Sequence, residues 1–581
     1  MRLQQKLPRF CAIAAVIALI ISACGSTAPT AAPTRAPTPG GATATARPTS
    51  GTTAGPTAVA TATAVPAPTA TALPTSSGEL KIAVQSINPN IFPGVTVAGV
   101  ENLTMDPMYD YLIGSKNDDS MDPDSGLIIS WSANADSSVW TFKLRDNMVF
   151  HNGDRVSSAD AANTLQLAIN EPGKYSRGAE LQRGIKQMDT PDATTLIVSL
   201  NIPDIYWQVN YLKRGVPFTA SPKVIVPKNY LARVGFNEAN KAPVGSGAYK
   251  FKSFLVDQQL QMEAVDRHFF FGVPKTKTLT IVAIPDESTR LALLQTGGAD
   301  LAPMAQVANI KKATEAKLKL VARRGSLTWN LWNFQYPEVI NGYGKNPLAN
   351  EDVRKALLWY AIDRKTLVES FMPGYAAPSM DYPVFSWDIG GFPTNPVPTI
   401  DVAKAKSTLA AAGYPNGFEM DLYTDPKAPY PSAEVGEALA TYWQAVGIKI
   451  GRKATPVSLQ ADYYQKKGYD KPVVHFSVNV TNRPLSASTA LLNHNKDALF
   501  STNADPEAFR LASAWVQAKS IGEYKAAGLA YQKYAYDHVA TGVAIFVSDE
   551  IWFRNDKVSD KWDPGRDGSP SARYGYAAAL R

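Results

Sequence analysis

The sequence predicts an α/β fold of at least two lobes, preceded by a leader and a long tether. The first observation is length, because the roughly 500 residues that follow position 78 exceed what one hydrophobic core usually holds. The second is that strand-like alternation and capped helical segments follow one another along this part of the chain. The third is cysteine usage: Cys11 and Cys24 are the only two, so burial of apolar side chains must stabilise the fold.

The N-terminus predicts a signal peptide over residues 1–23. Three basic residues lie within the first nine, and the apolar run over 10–21 is about half as long as the ~20 residues of a membrane-spanning helix. The Ile-Ser-Ala-Cys sequence at 21–24 resembles the lipobox of bacterial lipoproteins. That resemblance implies cleavage before Cys24, lipidation of its thiol and display on the outer face of the cytoplasmic membrane. An uncleaved N-terminal anchor is the alternative.

Residues 24–78 predict a disordered tether. After Cys24 the segment consists mostly of Ala, Thr and Pro and contains no acidic residue. Such a composition has too little apolar bulk to offset the entropy of ordering the chain. A flexible coil of this length reaches about 40 Å, which holds the folded part away from a membrane. The Thr and Pro content also suits a glycosylated stalk.

The charge balance argues against a nucleic-acid partner. The chain has a net charge of +7, but five of its 58 basic residues and none of its 51 acidic residues precede position 79, which leaves about +2 for the rest. No basic run interleaved with aromatic residues occurs in that part. The high pI therefore reflects the leader and tether.

The most informative stretch spans residues 140–162. Trp140, Phe142 and Leu144 alternate with polar residues, which predicts a strand, and two turns follow. Ser157 with Asp160 three residues later has the form of a capping box and predicts the start of a helix.

This stretch resembles the signature of family 5 of the bacterial extracellular solute-binding proteins, which includes dipeptide, oligopeptide and nickel receptors of ABC importers. The matching residues are Trp140, Thr141, Phe142, Leu144, Arg145, Phe150, His151, Gly153, Ala159 and Asp160. The resemblance continues through 243–249, 284–300, 352–364, 401–417 and 447–450. It implies a receptor that captures a solute and delivers it to a permease and ATPase complex.

The resemblance also implies a two-lobed periplasmic-binding-protein-like fold of type II, in its large class with an extra subdomain. Two crossing strands, near 327–334 and 542–552, would join the lobes and let them close over a ligand. The expected segments are lobe one at 79–326 with its inserted subdomain near 120–240, lobe two at 327–546, and a return to lobe one at 547–581.

Four candidate ligand contacts lie on the first crossing strand. Trp329 and Trp332 should point to opposite faces, so at most one of them faces the cleft. An indole offers a flat apolar body and one donor, and Asn330 and Asn333 offer amide donors and acceptors. Packing of both tryptophans in a core, and turn or capping duty for the asparagines, are the alternatives.

Four further candidates lie later in the chain. Trp387 and Asp388 occupy a Pro- and Gly-rich loop, where a plain surface position is the alternative. The acidic position that pairs with the peptide ammonium in the family's peptide receptors is occupied here by Val480. Arg483 and His494 would instead favour a neutral or anionic solute, unless they are ordinary surface cations.

Other functional classes have less support in the sequence. It contains no G-x-S-x-G, H-E-x-x-H or S-x-x-K cluster and no pair of histidines four residues apart, so it predicts no catalytic residue, metal site or cofactor. A secreted hydrolase, a surface sensor or adhesin, and a nickel receptor that uses an organic chelator are the alternatives. The expected assembly is a monomer that binds a small molecule or peptide.

Overall fold

The structure is a computed structural model that describes residues 76–93, 104–116, 120–170, 178–214, 223–380, 395–424, 430–454, 470–480, 486–495, 501, 503, 505–540, 542–560 and 562. These residues belong to one compact unit, Ala72–Arg581. The predicted signal peptide, Cys24 and the tether up to residue 75 lie outside the described residues, as do Trp387, Asp388 and Arg483. The predicted end of the tether at residue 78 is wrong, because Ser77 and Gly78 form the start of the first strand, in which Ser77 pairs with Thr276 of the neighbouring strand.

Strands and helices alternate along the described chain. The strands are β1 (Ser77–Val84), β2 (Gly114–Ser115), β3 (Met121–Asp122), β4 (Ile128–Ala133), β5 (Val139–Leu144), β6 (Ile185–Asp192), β7 (Thr195–Leu200), β8 (Tyr249–Leu255), β9 (Gln259–Ala264), β10 (Thr276–Ala283), β11 (Leu301–Pro303), β12 (Lys319–Asn333), β13 (Val339–Ile340), β14 (Gly344–Lys345), β15 (Ala376–Pro378), β16 (Glu419–Thr424), β17 (Lys449–Ala454), β18 (Val473–Val480) and β19 (Val543–Arg554).

The helices are α1 (Ser158–Asn170), α2 (Gly178–Gly184), α3 (Trp207–Tyr211), α4 (Lys228–Lys241), α5 (Glu287–Thr296), α6 (Val307–Glu315), α7 (Glu351–Lys355), α8 (Arg364–Phe371), α9 (Val402–Ala411), α10 (Ser432–Ala445), α11 (Ser486–His494), α12 (Pro506–Val516) and α13 (Ile521–Asp537). Helix α7 continues as a π-helical turn, Ala356–Tyr360.

One mixed sheet of 11 strands runs through the molecule, in the order β17-β16-β18-β12-β19-β11-β1-β10-β9-β8, with β15 paired to β19. Its β1, β10 and β11 part has a hydrophobic core of its own, and its β16–β18 part has another. A separate four-stranded antiparallel sheet, β4-β5-β7-β6, packs with α1 around a third core. We refer to the β1 side with this small sheet as lobe one, and to the β16–β18 side as lobe two.

Strands β12 and β19 belong to both lobes and are the crossing strands. Their pairing is irregular at two points, between Arg323 and Leu327 and between Trp329 and Asn330. At the first point Arg323 pairs with Glu550 and Leu327 with Ser548, so three residues of β12 lie opposite one residue of β19. Within this bulge Gly325 has φ 57°, a left-handed conformation that favours glycine.

The side chain of Asp549, the single residue opposite the bulge, holds it in place. Its Oδ1 accepts the Gly325 N–H at 2.8 Å, and the Asp549 N–H donates to the Tyr375 carbonyl at 2.7 Å. A break in the ladder where two lobes meet concentrates bending at that point. The bulge at Gly325 and Asp549 therefore lies where the crossing strands pass from one lobe to the other.

The signature stretch folds as its sequence predicts. Trp140, Phe142 and Leu144 lie on β5 with buried side chains. Asp160 accepts from both the backbone N–H and the hydroxyl of Ser157, at 2.9 and 2.7 Å, directly before α1 begins. The predicted strand and capping box are therefore confirmed.

His151 joins this signature to the second family motif. Its Nδ1 accepts the Gly245 N–H at 3.3 Å and its Nε2 lies 2.9 Å from the Gly247 carbonyl, which makes Nε2 the protonated nitrogen. Burial lowers the pKa of His151 to about 4, so the ring is neutral. A Cβ on Gly245 would lie 1.9 Å from the Met108 carbonyl oxygen, which explains the glycine there. His151 therefore satisfies backbone groups of the second motif.

Helix signals in the later sequence also hold. Asp401 caps α9 by accepting the Lys404 N–H at 2.8 Å. Asp505 caps α12 in the same way, with Pro506 at its first position.

Candidate ligand-binding site

Strand β12 has two chemically different faces. Paired residues in an antiparallel ladder share a face, and successive residues alternate between faces. Asn330 pairs with Ser477 and Trp332 with His475, while Trp329 pairs with Val478 on the other side. The two predicted tryptophans therefore do point to opposite faces.

The face of Trp329 is the core of lobe two. The Trp329 side chain is 1% exposed, its ring lies between those of Phe476 and Phe546, with centroids 5.9 and 5.1 Å away, and its Nε1 donates to the Ser548 hydroxyl at 2.9 Å. Full burial among aromatic rings stabilises the lobe. The structure thus gives Trp329 a packing role.

We call the opposite face, formed by Thr328, Asn330, Trp332, His475 and Ser477, the seam face. Thr328, Asn330 and His475 are buried, whereas Trp332 and Ser477 are half-buried. Five polar or amphipathic side chains side by side on two central strands are unusual for a sheet face that serves only as core. This face therefore has the composition of a binding surface.

Hydrogen bonds orient two of the seam-face residues. The Asn330 Nδ2 donates to the Thr328 carbonyl at 3.1 Å, while its Oδ1 has no partner among the described residues. The Trp332 Nε1 donates to the Ser477 hydroxyl at 2.8 Å. The Asn330 oxygen is thus a buried acceptor that a solute donor would satisfy.

Two neighbours define the environment of the seam face. A Cβ on Gly542 would lie 2.5 Å from Cε3 of Trp332, so the Gly542 backbone lies against the indole. Burial lowers the pKa of His475 to about 4, and its imidazole is therefore neutral near pH 7.

Lobe one contacts lobe two beside the seam face. Helix α3 places Trp207 and Tyr211 in the core of the four-stranded sheet. Val209 of this helix, and Tyr206 directly before it, pack against α11–α13 of lobe two. The rings of Tyr206 and Tyr524 are 4.5 Å apart between centroids. We call the buried apolar residues at this contact the interlobe cluster; they are Tyr206, Val209, Ala487, Ala490, Ala508, Ala512, Trp515, Ala518, Tyr524, Tyr531, Ala535 and Ala540.

Trp332 connects the seam face to the interlobe cluster. It packs against the cluster from the sheet side, so the seam face lies next to the contact between the lobes. Gln208, on α3, is 6% exposed and its Oε1 has no partner among the described residues.

The other two predicted contacts lie elsewhere. Asn333 is on the core-face side of β12, and its Oδ1 accepts from the Gln335 side chain. His494 is 2% exposed, where its ring nitrogens contact Asn503 Oδ1 and the Tyr531 hydroxyl. Burial lowers the pKa of His494 to about 4, so it is a neutral packing residue instead of a cation.

Sequence reasoning missed His475, Ser477 and the interlobe cluster. Alternation in 473–480 was a usable signal for the first two, because His475, Ser477 and Asn479 alternate with apolar residues. The pairing of Tyr206 with Tyr524 joins residues more than 300 positions apart, and no local pattern indicates it.

Two features of the described residues bear on other functions. Within those ranges no group of three or more His, Cys, Asp or Glu side chains is placed to hold a metal ion. Over the same ranges, every helix is too short or too polar to cross a bilayer.

The family model for bacterial extracellular solute-binding proteins, family 5 (Middle), matches residues 122–497. The chain belongs to this family. The match covers the small sheet, the first crossing strand and the seam face. As a family 5 protein, the chain is an extracytoplasmic solute-binding protein of an ABC importer.

Known proteins similar to this family 5 chain are named for different solutes. Heme-binding protein A of Haemophilus influenzae is 27% identical over 402 residues, which cover 64% of this chain and 69% of that protein. Glutathione-binding protein GsiB of Pectobacterium atrosepticum is 28% identical over 397 residues, covering 66% and 70%.

A solved structure confirms the fold. The periplasmic binding protein AgaA of A. tumefaciens R10, in complex with agropinic acid, superposes with a TM-score of 0.74 at 21% identity and covers 87% of this chain and 99% of its own. The predicted two-lobed periplasmic-binding-protein-like fold is therefore confirmed.

Proposed function

We propose that this family 5 protein captures a small solute or peptide at the seam face, releases it to the permease, and performs no covalent chemistry on it. The observation that supports this proposal is a strand common to both lobes that presents buried polar side chains beside the interlobe contact. Ligand sites in proteins occur preferentially where domains meet, with a few polar groups fixing the orientation of the ligand.

Closure would follow from bending at Gly325 and Asp549. In an open form, Tyr206 and Val209 would separate from α13, and Trp332 would become accessible. Solute bound to the seam face would then be enclosed as lobe one returns. We propose the lobe boundaries that the sequence predicts, with residues 79–326 and 547–581 in lobe one and residues 327–546 in lobe two.

We also propose that Cys24 carries the lipid anchor and that the segment from Cys24 to the start of β1 tethers a monomer to the outer face of the cytoplasmic membrane. The lipobox at 21–24 and the Ala/Thr/Pro composition support this. A Cys24→Ala variant should lose labelling by a radioactive or clickable fatty acid and appear in the soluble fraction. Equal labelling of the variant would exclude Cys24 as the acceptor.

The receptor function is tested by ligand-dependent closure. Small molecules released from the purified protein by denaturation would be identified by mass spectrometry and returned to ligand-free protein, with glutathione and heme added because two relatives are named for them. We expect saturable calorimetric binding and a smaller radius of gyration in X-ray scattering. Conversion of a bound compound into a new product, or binding without compaction, would contradict the proposal.

A further inference from the structure

The seam face has no formal charge. Thr328, Asn330, Trp332 and Ser477 carry none near pH 7, and burial holds the imidazole of His475 in its neutral form. An ion placed against such a surface loses hydration without gaining a counter-charge. The seam face therefore discriminates against the charged groups of a solute.

The amide of Asn330 specifies a donor. Its Nδ2 is engaged by the Thr328 carbonyl at 3.1 Å, which fixes the oxygen and nitrogen positions of the amide. The remaining Oδ1 accepts hydrogen bonds only, is fully buried, and has no partner within the described ranges. A hydroxyl or an amide N–H of the solute satisfies it, whereas an ether or carbonyl oxygen does not.

The indole of Trp332 favours a flat group on the solute. Its N–H is already donated to the Ser477 hydroxyl at 2.8 Å, so a solute that reaches this half-buried side chain meets the apolar part of the ring. The Gly542 backbone lies against part of the ring and limits the indole to one position. A ring or planar amide of the solute can pack on an aromatic surface held in this way.

We infer that the solute is an uncharged molecule that presents to the seam face hydroxyl or amide N–H donors beside a flat apolar surface, as neutral saccharide rings and uncharged cyclic amides do. This inference rests on the proposed function and on the seam face as its binding surface. It separates the chain from receptors that hold a peptide through its ammonium group.

The first test divides candidate solutes by charge. Yeast extract filtered to small molecules is passed through mixed-bed ion exchange, and the neutral flow-through and the eluted charged fraction are each added to the full chain. We expect the neutral fraction alone to raise the midpoint of thermal unfolding. A rise caused only by the charged fraction would overturn the inference, and no rise with either would contradict the receptor function itself.

The second test compares the two faces of β12 with the neutral fraction. Asn330→Ala and Trp332→Ala should weaken binding on the order of tenfold or more, because each removes a solute contact. Asn333→Ala and Trp329→Phe, on the core face, should lower the unfolding midpoint of the free protein yet preserve the shift caused by solute. Equal loss of the shift in all four variants would refute a role for the seam face.

Adding one negative charge at Asn330 distinguishes neutral from cationic solutes by their affinity, and this measurement does not depend on a change in protein stability. Asn330→Asp keeps the size of the side chain but adds a negative charge. For an uncharged solute, we expect affinity to fall, because the carboxylate lies against the Thr328 carbonyl and loses that hydrogen bond. An increase in affinity for the charged fraction would show that an ammonium group binds there and would overturn the inference.

Salt dependence supplies an independent readout. A neutral solute should bind with an affinity that changes less than about twofold between roughly 0.05 and 0.5 M NaCl, since no charge pair is screened. A steep decrease with salt would indicate that charged groups meet at the seam and would contradict the inference.

Discussion

Replacing Tyr206 by alanine should shift the protein towards an open form. The ring of Tyr206 lies 4.5 Å from that of Tyr524 between centroids and is 8% exposed in the interlobe cluster. Tyr206 belongs to lobe one and its partner to lobe two, so opening separates them. Truncation therefore removes packing that exists only when the lobes touch.

The magnitude follows from the aromatic packing that alanine cannot supply. Burial of a large apolar side chain is worth about 1.5–3 kcal/mol, and an aromatic pair adds ~0.5–1.5 kcal/mol. Because Tyr206 stays partly buried in the open form, we expect Tyr206→Ala to destabilise the closed form by about 2 kcal/mol relative to the open form. That change lowers the ratio of closed to open protein roughly 30-fold. The apparent affinity for solute falls by up to the same factor.

X-ray scattering of ligand-free protein is the direct assay, with calorimetry for affinity. Tyr206→Ala should increase the radius of gyration, and saturating solute should restore compaction. Tyr206→Phe keeps the ring and should behave like the parent protein. Identical scattering and affinity for the parent and the alanine variant would refute the assignment of the interlobe cluster to closure.

Three further substitutions test other parts of the structure. Arg354 is 4% exposed and donates hydrogen bonds to four backbone carbonyls. Arg354→Met should therefore lower the free energy of unfolding, measured by urea titration, by at least ~3 kcal/mol. A loss below ~1 kcal/mol would contradict this prediction. The pKa of His494 is about 4 in the folded protein and ~6.5 in the unfolded chain, so its contribution to the free energy of unfolding is complete above pH ~6.5 and declines as the pH falls towards 4. His494→Gln should therefore reduce the difference in the free energy of unfolding between pH 7 and pH 5 by ~2 kcal/mol. An unchanged difference would refute this prediction. Gly542→Ala should displace Trp332 and weaken solute binding by ~1–3 kcal/mol. The control is Gly522→Ala, whose Cβ would meet only a hydroxyl at 4.0 Å and which should leave the affinity unchanged. Equal affinities of the two variants for the solute would exclude contact between Gly542 and the site.

Local patterns in the sequence predicted local structure well. The strand through Trp140, Phe142 and Leu144 and the capping box at Ser157 each depend on residues within a few positions of one another, and each is confirmed. The family resemblance supplied the order of the lobes and the two crossing strands. These features are recoverable because short-range chemistry or a shared signature encodes them.

Features that depend on distant residues were not recoverable. The proposed hinge needs Gly325 beside Asp549, 224 positions away, and no periodicity links them. The sequence likewise suggested that His494 is a cation, because no neighbouring residue indicates that it is buried against Asn503 and Tyr531. Burial changes the charge of a histidine, and burial is a property of the assembled fold.

The alternation along β12 shows where prediction stopped. Period two separates Trp329 from Trp332, but it cannot say which side the helices of lobe two cover. In the structure α7–α10 cover the Trp329 side, whereas Trp332 on the other side packs against the interlobe cluster. Since both faces belong to one strand, the proposed bend at Gly325 would move the seam face relative to lobe one and leave the core of lobe two intact. Solute capture and lobe stability are therefore separable by mutation, residue by residue, along a single strand.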